Sequence, residues 1–148
     1  MSFSWQLKKF NELTASELYS IMQLRAEVFI VEQNCPYQDA DGKDPKSFHL
    51  LGYNAENKLV VYSRILPQHI SYPEVSIGRV VSSPSVRGTG AGKELMKQSL
   101  VEIEKLFGVV PVKIGAQLYL QKFYESFNFV RTSEPYMEDG IPHIEMIR

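Results

Sequence analysis

Apolar residues recur along the chain at two spacings, every second position in some segments and every third or fourth position in others. Alternation over residues 3–7 predicts a half-buried first strand. Thr14 and Glu17 then have the spacing of a capping box, in which each side chain binds a backbone amide at the start of a helix. Apolar residues follow at helical spacing as far as Phe29. The chain is therefore predicted to open with a strand and a helix.

Three apolar runs in the middle of the chain predict further strands. Residues 48–53 and 58–66 flank a short polar stretch, which is the pattern of a hairpin. Residues 74–82 are rich in β-branched side chains, which suit a pleated and half-buried surface. Pro84 ends this third run because proline has no N–H to donate to a neighbouring strand.

The rest of the chain returns to helical spacing and ends in a predicted hairpin. Apolar residues indicate a helix at 95–107, a short strand at 112–115 and a short helix at 118–127. Asn128 can end that helix in the left-handed conformation, and the Asp-Gly pair at 139–140 is a strong hairpin signal. This order of elements predicts an α/β (α+β) fold with a mixed, mostly antiparallel sheet flanked by helices.

Length and composition are those of an ordinary globular protein. We expect one domain, residues 1–148, large enough to bury a single core. A net charge of −1 gives no electrostatic reason to expect nucleic acid as a partner. Cys35 is the only cysteine, which excludes a disulfide framework and a thiolate metal site. The first residues lack the apolar core of a signal peptide and no long apolar run follows, so we expect a cytoplasmic protein that does not enter a membrane.

A glycine-rich loop between the third strand of the middle region and the next helix is the strongest candidate for a binding site. The start of a helix exposes backbone amides and carries a partial positive charge, which favours anions. A nucleotide-triphosphate loop would need glycine where Arg87 stands and a hydroxyl where Glu94 stands, and a dinucleotide fingerprint spaces its glycines differently. Arg87, Gly90 and Gly92 instead form the pattern Arg-x-x-Gly-x-Gly. We expect a phosphate or pyrophosphate here, with a plain turn before a helix as the alternative.

This pattern resembles the pyrophosphate-binding motif of the GNAT superfamily of CoA-dependent N-acyltransferases. Gln117 and the Phe-Tyr-Glu-Ser-Phe-Asn-Phe segment at 123–129 look like the Asn…Leu-Tyr-Glu-x-x-Gly-Phe helix of the same family. Motifs within residues 24–41, 78–80 and 139–143 resemble the ElaA-like branch of the superfamily, so that the resemblance covers nearly the whole chain. It implies the GNAT acyl-CoA N-acyltransferase fold. It also implies transfer of an acetyl or other acyl group from acetyl-CoA to a primary amine, by direct attack in a ternary complex.

The resemblance also implies roles for individual residues on the cofactor side. Amides of the glycine-rich loop would hold the CoA pyrophosphate, and Arg87 would add a positive charge. The end of the preceding strand, where the family has a bulge, would pair with the pantetheine and offer an amide to the thioester carbonyl. Tyr124 matches the tyrosine that protonates the departing thiolate. The cofactor-binding residues implied in this way are Val80, Val81, Ser82, Arg87, Gly88, Thr89, Gly90, Ala91, Gly92, Gln117 and Tyr124.

The acceptor amine poses a separate problem, because an ammonium group must lose a proton before it can attack. Some members of the family use a glutamate on the fifth strand, but Val112 occupies that position here. His49, His143 and Glu32 are the candidate bases, since they lie in motifs away from the glycine-rich loop and histidine titrates near neutral pH. A structural role for each of these three side chains is the alternative.

The first half of the chain contains a second set of candidate residues. Parts of it look like motifs of acyl-homoserine-lactone synthases, in which arginines and acids organise the site for the aminoacyl substrate. Arg25, Asp41 and Arg64 lie in these motifs, and together with Tyr37 and Arg79 of the ElaA-like motifs they are the implied substrate-binding residues. For Arg25 the alternative is a side chain that extends from an apolar helix face to solvent. The acidic loop that contains Asp39, Asp41 and Asp44 fits an EF-hand frame poorly, so we expect no metal.

Three functions follow from these observations. The first is an acetyltransferase that acts on a small-molecule or peptide amine, as a monomer or a homodimer. The second is an acyl-CoA sensor without turnover, since a fold does not determine a function, although Tyr124 argues against it. The third is a signal synthase of the acyl-homoserine-lactone type, which the glycine pattern of Arg87 to Gly92 opposes because it belongs to CoA users.

Overall fold

One sheet of eight strands organises the protein, for which a computed structural model describes residues 2–148. The strands are β1 (Ser4–Lys9), β2 (Phe48–Tyr53), β3 (Leu59–Leu66), β4 (Val75–Ser82), β5 (Val112–Gln117), β6 (Val130–Arg131), β7 (Tyr136–Glu138) and β8 (Ile141–Ile147). Their order across the sheet is β1-β2-β3-β4-β5-β8-β6, and β7 also pairs with β8. Every pairing is antiparallel except that of β4 with β5, which is parallel. The predicted fold class is confirmed.

Three α-helices cover the sheet: α1 (Ala15–Arg25), α2 (Ala91–Phe107) and α3 (Gln121–Glu125). The predicted capping box is present at α1, where Glu17 N–H donates to Thr14 Oγ1 over 3.1 Å and Thr14 N–H donates to Glu17 Oε1 over 2.8 Å. The predicted helix at 118–127 is shorter in the structure, a 3₁₀ turn followed by α3. Asn128 has the expected left-handed conformation, with φ 69°, and stops the chain from continuing as a helix.

The first helix differs from its prediction after Arg25. The sequence pattern indicates one α-helix as far as Phe29, but Ala26–Glu32 forms a π-helical turn. Its wider hydrogen bonds join residues five apart, for example from the Gln33 N–H to the Val28 carbonyl over 3.2 Å. A hydrophobic pattern does not distinguish this turn from an α-helix, because both bury one side of the cylinder.

The two faces of the sheet carry different helices. On one face, α2 and α3 pack on a core formed by Ile65, Val75, Ile77, Met96, Ile103, Val112, Ile114, Ala116, Tyr124, Phe129, Ile144 and Met146. On the other face, α1 packs on a second core through Ile21 and Leu24, and the π-helical turn packs on it through Val28. Side chains alternate between faces along a strand, so His143 and Gln117 point away from the face that carries α2 and α3.

Strands β4 and β5 separate after a short contact, and this separation creates the site. They pair only at Val75 with Val112 and at Ser76 with Lys113. One extra residue in β4 then breaks its register with β3, and Arg79 at this bulge has a φ of 49°. The gap between the strands opens toward their C-terminal ends, where α2 begins. Among residues 2–148, no helix has the length and apolar character needed to cross a membrane.

Candidate active site

A cleft of about 1370 Å³ occupies the gap between β4 and β5. Its floor is formed by residues 76–82 of β4 and 114–117 of β5. The glycine-rich loop and the start of α2 form one end, and the β7–β8 turn reaches its opposite wall. Because the sheet is split at this point, residues from both of its faces line one continuous space.

The glycine-rich loop has the geometry of an anion cradle. Gly88 and Gly90 have φ values of 76° and 85°, a conformation that glycine adopts without steric cost. No side chain caps α2 at Gly90, and the first helical bond runs from Glu94 N–H to the Gly90 carbonyl over 3.1 Å. The amides of Ala91, Gly92 and Lys93 therefore lack partners within the helix, and these three residues line the cleft. Amides arranged in this way bind anions.

Arg87 at this cradle is bound by Glu32. Arg87 Nη1 donates to Glu32 Oε2 and Arg87 Nη2 contacts Glu32 Oε1, each over 2.7 Å. The hydrogen bond from Arg87 lowers the pKa of Glu32, and the same bond raises the pKa of Arg87. The structure therefore places Glu32 at the glycine-rich loop, apart from His49 and His143, the other two candidate bases.

Tyr124 lies on α3 with its hydroxyl group unpaired. The side chain is 7% exposed, and its ring makes edge-on contacts with Phe123 and Phe129 at centroid distances of 5.1 and 6.0 Å. The hydroxyl has no hydrogen-bond partner among residues 2–148, and the residue lines the cleft. Burial raises the pKa of Tyr124 to about 12, so the phenol remains protonated at neutral pH and can donate its proton.

His143 lies on the opposite face of the sheet, beside Gln117 in the β5–β8 register. Its Nδ1 is 2.7 Å from the Ile141 carbonyl, which can only accept, so Nδ1 carries the proton of this bond. Its Nε2 is 3.3 Å from Glu138 Oε2. His143 is 8% exposed, stacks on Tyr136 and lines the cleft, as Gln117 does. The structure thus offers a second imidazole nitrogen, next to a carboxylate, on the face of the gap away from α2.

His49 is placed differently, inside the protein and away from the cleft wall. It is fully buried, and its Nε2 donates to the Asp44 carbonyl over 3.0 Å. Its Nδ1 therefore accepts from the Tyr62 hydroxyl over 2.7 Å. Burial lowers the pKa of His49 and keeps its ring neutral. Both nitrogens are occupied, which favours the structural alternative for this residue.

Three arginines and three aspartates form a network beside the cleft, on the face of the sheet that carries α1. Arg25 binds Asp39 over 2.9 Å and Asp44 over 2.7 Å. Arg64 binds Asp41 and Asp44, each over 2.9 Å. In addition, Arg79 binds Asp39 over 2.7 Å. The aspartates of the predicted acidic loop thus pair with arginines and hold that loop against the sheet.

The network changes the interpretation of the residues predicted to bind substrate. Arg25 is fully buried, so the alternative that it extends to solvent is wrong, and Arg64 is 3% exposed. Both side chains bind the aspartates and hold the loop in place, and Arg64, unlike Arg25, also lines the cleft. Asp41 and Arg79 are about one-fifth exposed and line the cleft. Tyr37 joins them there, with the Arg79 guanidinium 5.6 Å from its ring centre, and burial raises its pKa to about 12.

Comparison with known proteins identifies the family. The acetyltransferase (GNAT) domain model matches residues 15–148. The chain belongs to the GNAT family. Protein ElaA of Escherichia coli (strain K12) is 47% identical to this GNAT chain over 146 residues, which cover 97% of this chain and 95% of ElaA. The resemblance to the ElaA-like branch is therefore confirmed.

Solved structures agree with this assignment. The crystal structure of Escherichia coli ElaA superposes with a TM-score of 0.91 at 45% identity and covers 99% of both chains. An acyl-CoA N-acyltransferase from Pseudomonas aeruginosa superposes with a TM-score of 0.94 at 44% identity, again over 99% of both chains. A CoA-dependent acyl-homoserine lactone synthase, BjaI, reaches a TM-score of 0.77 at 15% identity, covering 99% of this chain and 82% of BjaI. That last likeness shows a shared GNAT fold alone.

Glu138 is a charged residue of this GNAT cleft that was not predicted from the sequence. Glu138 approaches His143 from β7, where the hairpin register pairs it with Ile141. The Asp-Gly turn at 139–140 could have predicted this contact, because a two-residue turn sets residues 138 and 141 opposite each other. Residues 138 and 143 then share a face of the hairpin, since side chains alternate along each strand.

Proposed function

We propose that this GNAT chain transfers an acyl group, in the first place acetyl, from acyl-CoA to a primary amine of a small molecule or peptide. One observation carries the proposal: a single cleft joins the anion cradle before α2, the unpaired phenol of Tyr124 and the imidazole of His143. These groups come from opposite faces of the sheet. The cleft can therefore hold two substrates at once, which direct attack in a ternary complex requires.

The cofactor end fits CoA chiefly through backbone amides that have no partner within α2. The amides of residues 91–93 would hold the pyrophosphate, and Arg87 would supply charge beside it. Beyond Ser76, β4 has no strand on the side of the gap, so the backbone of Val80, Val81 and Ser82 offers hydrogen bonds to the pantetheine amides. An amide at the bulge can also stabilise negative charge on the thioester oxygen. Gln117 lines the same cleft from β5, on the face of the sheet away from α2.

Tyr124 is proposed as the general acid. A departing thiolate has a pKa of about 8.5, well below that of the buried phenol in this site. These two pKa values alone would keep the proton on the phenol. Burial, however, disfavours a charged thiolate in the cleft and raises the pKa of its thiol, so that transfer of the proton from Tyr124 to the thiolate becomes favourable. The hydroxyl suits this role since no other described group accepts its proton.

His143 is proposed as the base that receives the proton of the acceptor ammonium. Its Nδ1 is committed to the Ile141 carbonyl, so in the neutral ring Nε2 has a free electron pair. A proton taken up at Nε2 would face the Glu138 carboxylate, whose Oε2 lies 3.3 Å away. We prefer His143 to the other two candidate bases because the Glu32 carboxylate is bound by Arg87 and because His49 is buried away from the cleft.

The first test is thermal unfolding with and without acetyl-CoA. Ligand at 100 times its dissociation constant should stabilise the protein by about 2.7 kcal/mol, or a rise in Tm of about 9 °C for a chain of this size. The double variant Arg87→Ala with Gly90→Val is the matched control and should lose the shift. A panel of primary amines with thiol detection then reports turnover.

The outcomes separate the candidate functions. No shift at millimolar acetyl-CoA refutes the acyltransferase proposal and leaves the cradle as a site for another anion. A shift without thiol release across a broad amine panel favours a sensor. Release of a lactone signal by cells that express the protein favours a synthase.

A further inference from the structure

An ion pair joins the two walls of the cleft at its cofactor end. Glu32 is the last residue of the π-helical turn, and Arg87 lies in the loop that precedes α2, 55 residues away in the chain. Both side chains line the cleft. Two contacts of 2.7 Å connect the guanidinium to both carboxylate oxygens, which is the bidentate geometry of a strong pair.

The π-helical turn directs Glu32 to this position. Bonds between residues five apart, such as that from the Cys35 N–H to the Ile30 carbonyl over 3.0 Å, widen the turn and rotate every later side chain about the axis. A regular α-helix continued from Arg25 would direct residue 32 elsewhere. Such turns are frequent at functional sites, and here the turn brings a carboxylate to the proposed phosphate-binding arginine.

A carboxylate at this place opposes the binding of phosphate. The pair uses both Nη atoms of Arg87, the nitrogens that would otherwise bind a phosphate in the same bidentate manner. Glu27 adds a second negative charge to the surroundings of Arg87. A pyrophosphate in the cradle must therefore displace Glu32 or remain close to its negative charge, and either course weakens binding.

We propose that Glu32 limits the affinity of the protein for CoA by competing with the phosphates for Arg87. This inference rests on the proposed function and assigns Glu32 to the cofactor side. The competition should also affect kinetics, because a carboxylate that competes for Arg87 speeds the release of product CoA. Product release often limits the turnover of an enzyme. Glu32 is thus a residue that tunes cofactor affinity through Arg87, with no part in proton transfer.

The test compares Glu32→Gln with Glu27→Gln, a neighbouring exposed carboxylate that makes no bidentate pair with Arg87. Binding of CoA and of pantetheine, which lacks phosphates, is measured by calorimetry, and the rate of CoA dissociation by stopped flow. Glu32→Gln should bind CoA about two- to fivefold more tightly and release it correspondingly more slowly, the size expected for a solvent-exposed pair. Pantetheine affinity should not change, and Glu27→Gln should change CoA affinity less than Glu32→Gln.

A double-mutant cycle isolates the mechanism. In an Arg87→Ala background, Glu32→Gln should lose most of its gain, because the competition for the guanidinium no longer exists. Unchanged or weaker CoA binding by Glu32→Gln overturns the inference and indicates that Glu32 holds Arg87 in place for the phosphates. An equal effect on pantetheine also overturns it. If the unmodified chain does not bind CoA, the proposed function itself fails. If it binds CoA but Glu32→Gln binds no more tightly, only the inference about Glu32 fails.

Discussion

Asp44 is the carboxylate that two buried arginines share, so Asp44→Asn tests what the network contributes to stability. Its Oδ1 accepts from Arg25 Nη1 over 2.7 Å and from Arg64 Nη1 over 2.9 Å, and the residue is 4% exposed. Asparagine has nearly the same shape, so packing changes little. The substitution leaves three arginines against two aspartates, and the two arginines that lose their partner, Arg25 and Arg64, are at most 3% exposed.

The expected loss of unfolding free energy follows from the burial of the ion pairs that Asp44 makes with Arg25 and Arg64. Removal of one partner from a buried ion pair costs about 3–5 kcal/mol, because the remaining charge is left uncompensated. Unfolding entropy of about 2.1 cal/mol/K per residue gives about 0.3 kcal/mol/K for this chain, so Tm should fall by roughly 10–16 °C. Asp41→Asn is the matched control. Its side chain is 23% exposed, and we expect a loss of only about 1–2 kcal/mol there, or about 3–6 °C.

Asp44→Asn should also change how strongly the stability of the protein depends on pH in the acid range. Burial opposes ionisation of Asp44, but hydrogen bonds from Arg25 and Arg64 outweigh it and hold its pKa below the usual range. A carboxylate with a lowered pKa stabilises the fold above its unfolded pKa of about 4, and this stability is lost as the pH falls through the folded value. Asp44→Asn should therefore show a shallower loss of stability below pH 4 than the unmodified chain.

Thermal and urea unfolding, followed by circular dichroism at pH 7 and between pH 2 and 5, measure both effects. A loss below 1 kcal/mol for Asp44→Asn, or equal losses for Asp41→Asn and Asp44→Asn, would refute the reasoning. Such results would mean that water enters the network and screens its charges.

Three further substitutions test the proposed reaction. Tyr124→Phe should lower kcat about 10²-fold and leave CoA affinity in calorimetry nearly unchanged, since it removes only the acidic proton; equal turnover would reject Tyr124 as the acid. His143→Gln should slow transfer to a cationic amine by a similar factor, but much less for a weakly basic amine that is already neutral, and rates that fall equally for both amines would point to a structural role. Gly90→Val alone should abolish the thermal shift with acetyl-CoA, because a β-branched side chain resists the φ of 85°; a retained shift would show that the loop does not form the cradle.

Local signals in the sequence predicted most of the elements correctly. The capping box of Thr14 and Glu17, the left-handed Asn128 and the turn at 139–140 all depend on groups within a few residues of one another. Such contacts form wherever the chain brings near neighbours together, so the sequence carries them directly. The same holds for the glycines at 90 and 92, whose spacing after Arg87 led to the GNAT family.

Charged and titratable side chains were harder to place, because their environment depends on residues far away in the chain. Arg25 meets Asp39 and Asp44, which lie 14 and 19 residues further on. Glu32 meets Arg87 across 55 residues. No local pattern shows these partners, and for that reason Glu32 was grouped with the histidines and Arg25 with the substrate-binding residues.

The sequence by itself determined the alternation of strands and helices, the loop with amides free to bind an anion, and membership of the GNAT family. Tertiary structure decided which of two similar histidines is enclosed and which faces the cleft, since burial is a property of the packed sheet and helices. It also decided where β4 and β5 separate and how the π-helical turn directs Glu32. These features arise only when distant segments compete for the same space and the same hydrogen bonds, and the chemistry of the cleft depends on them.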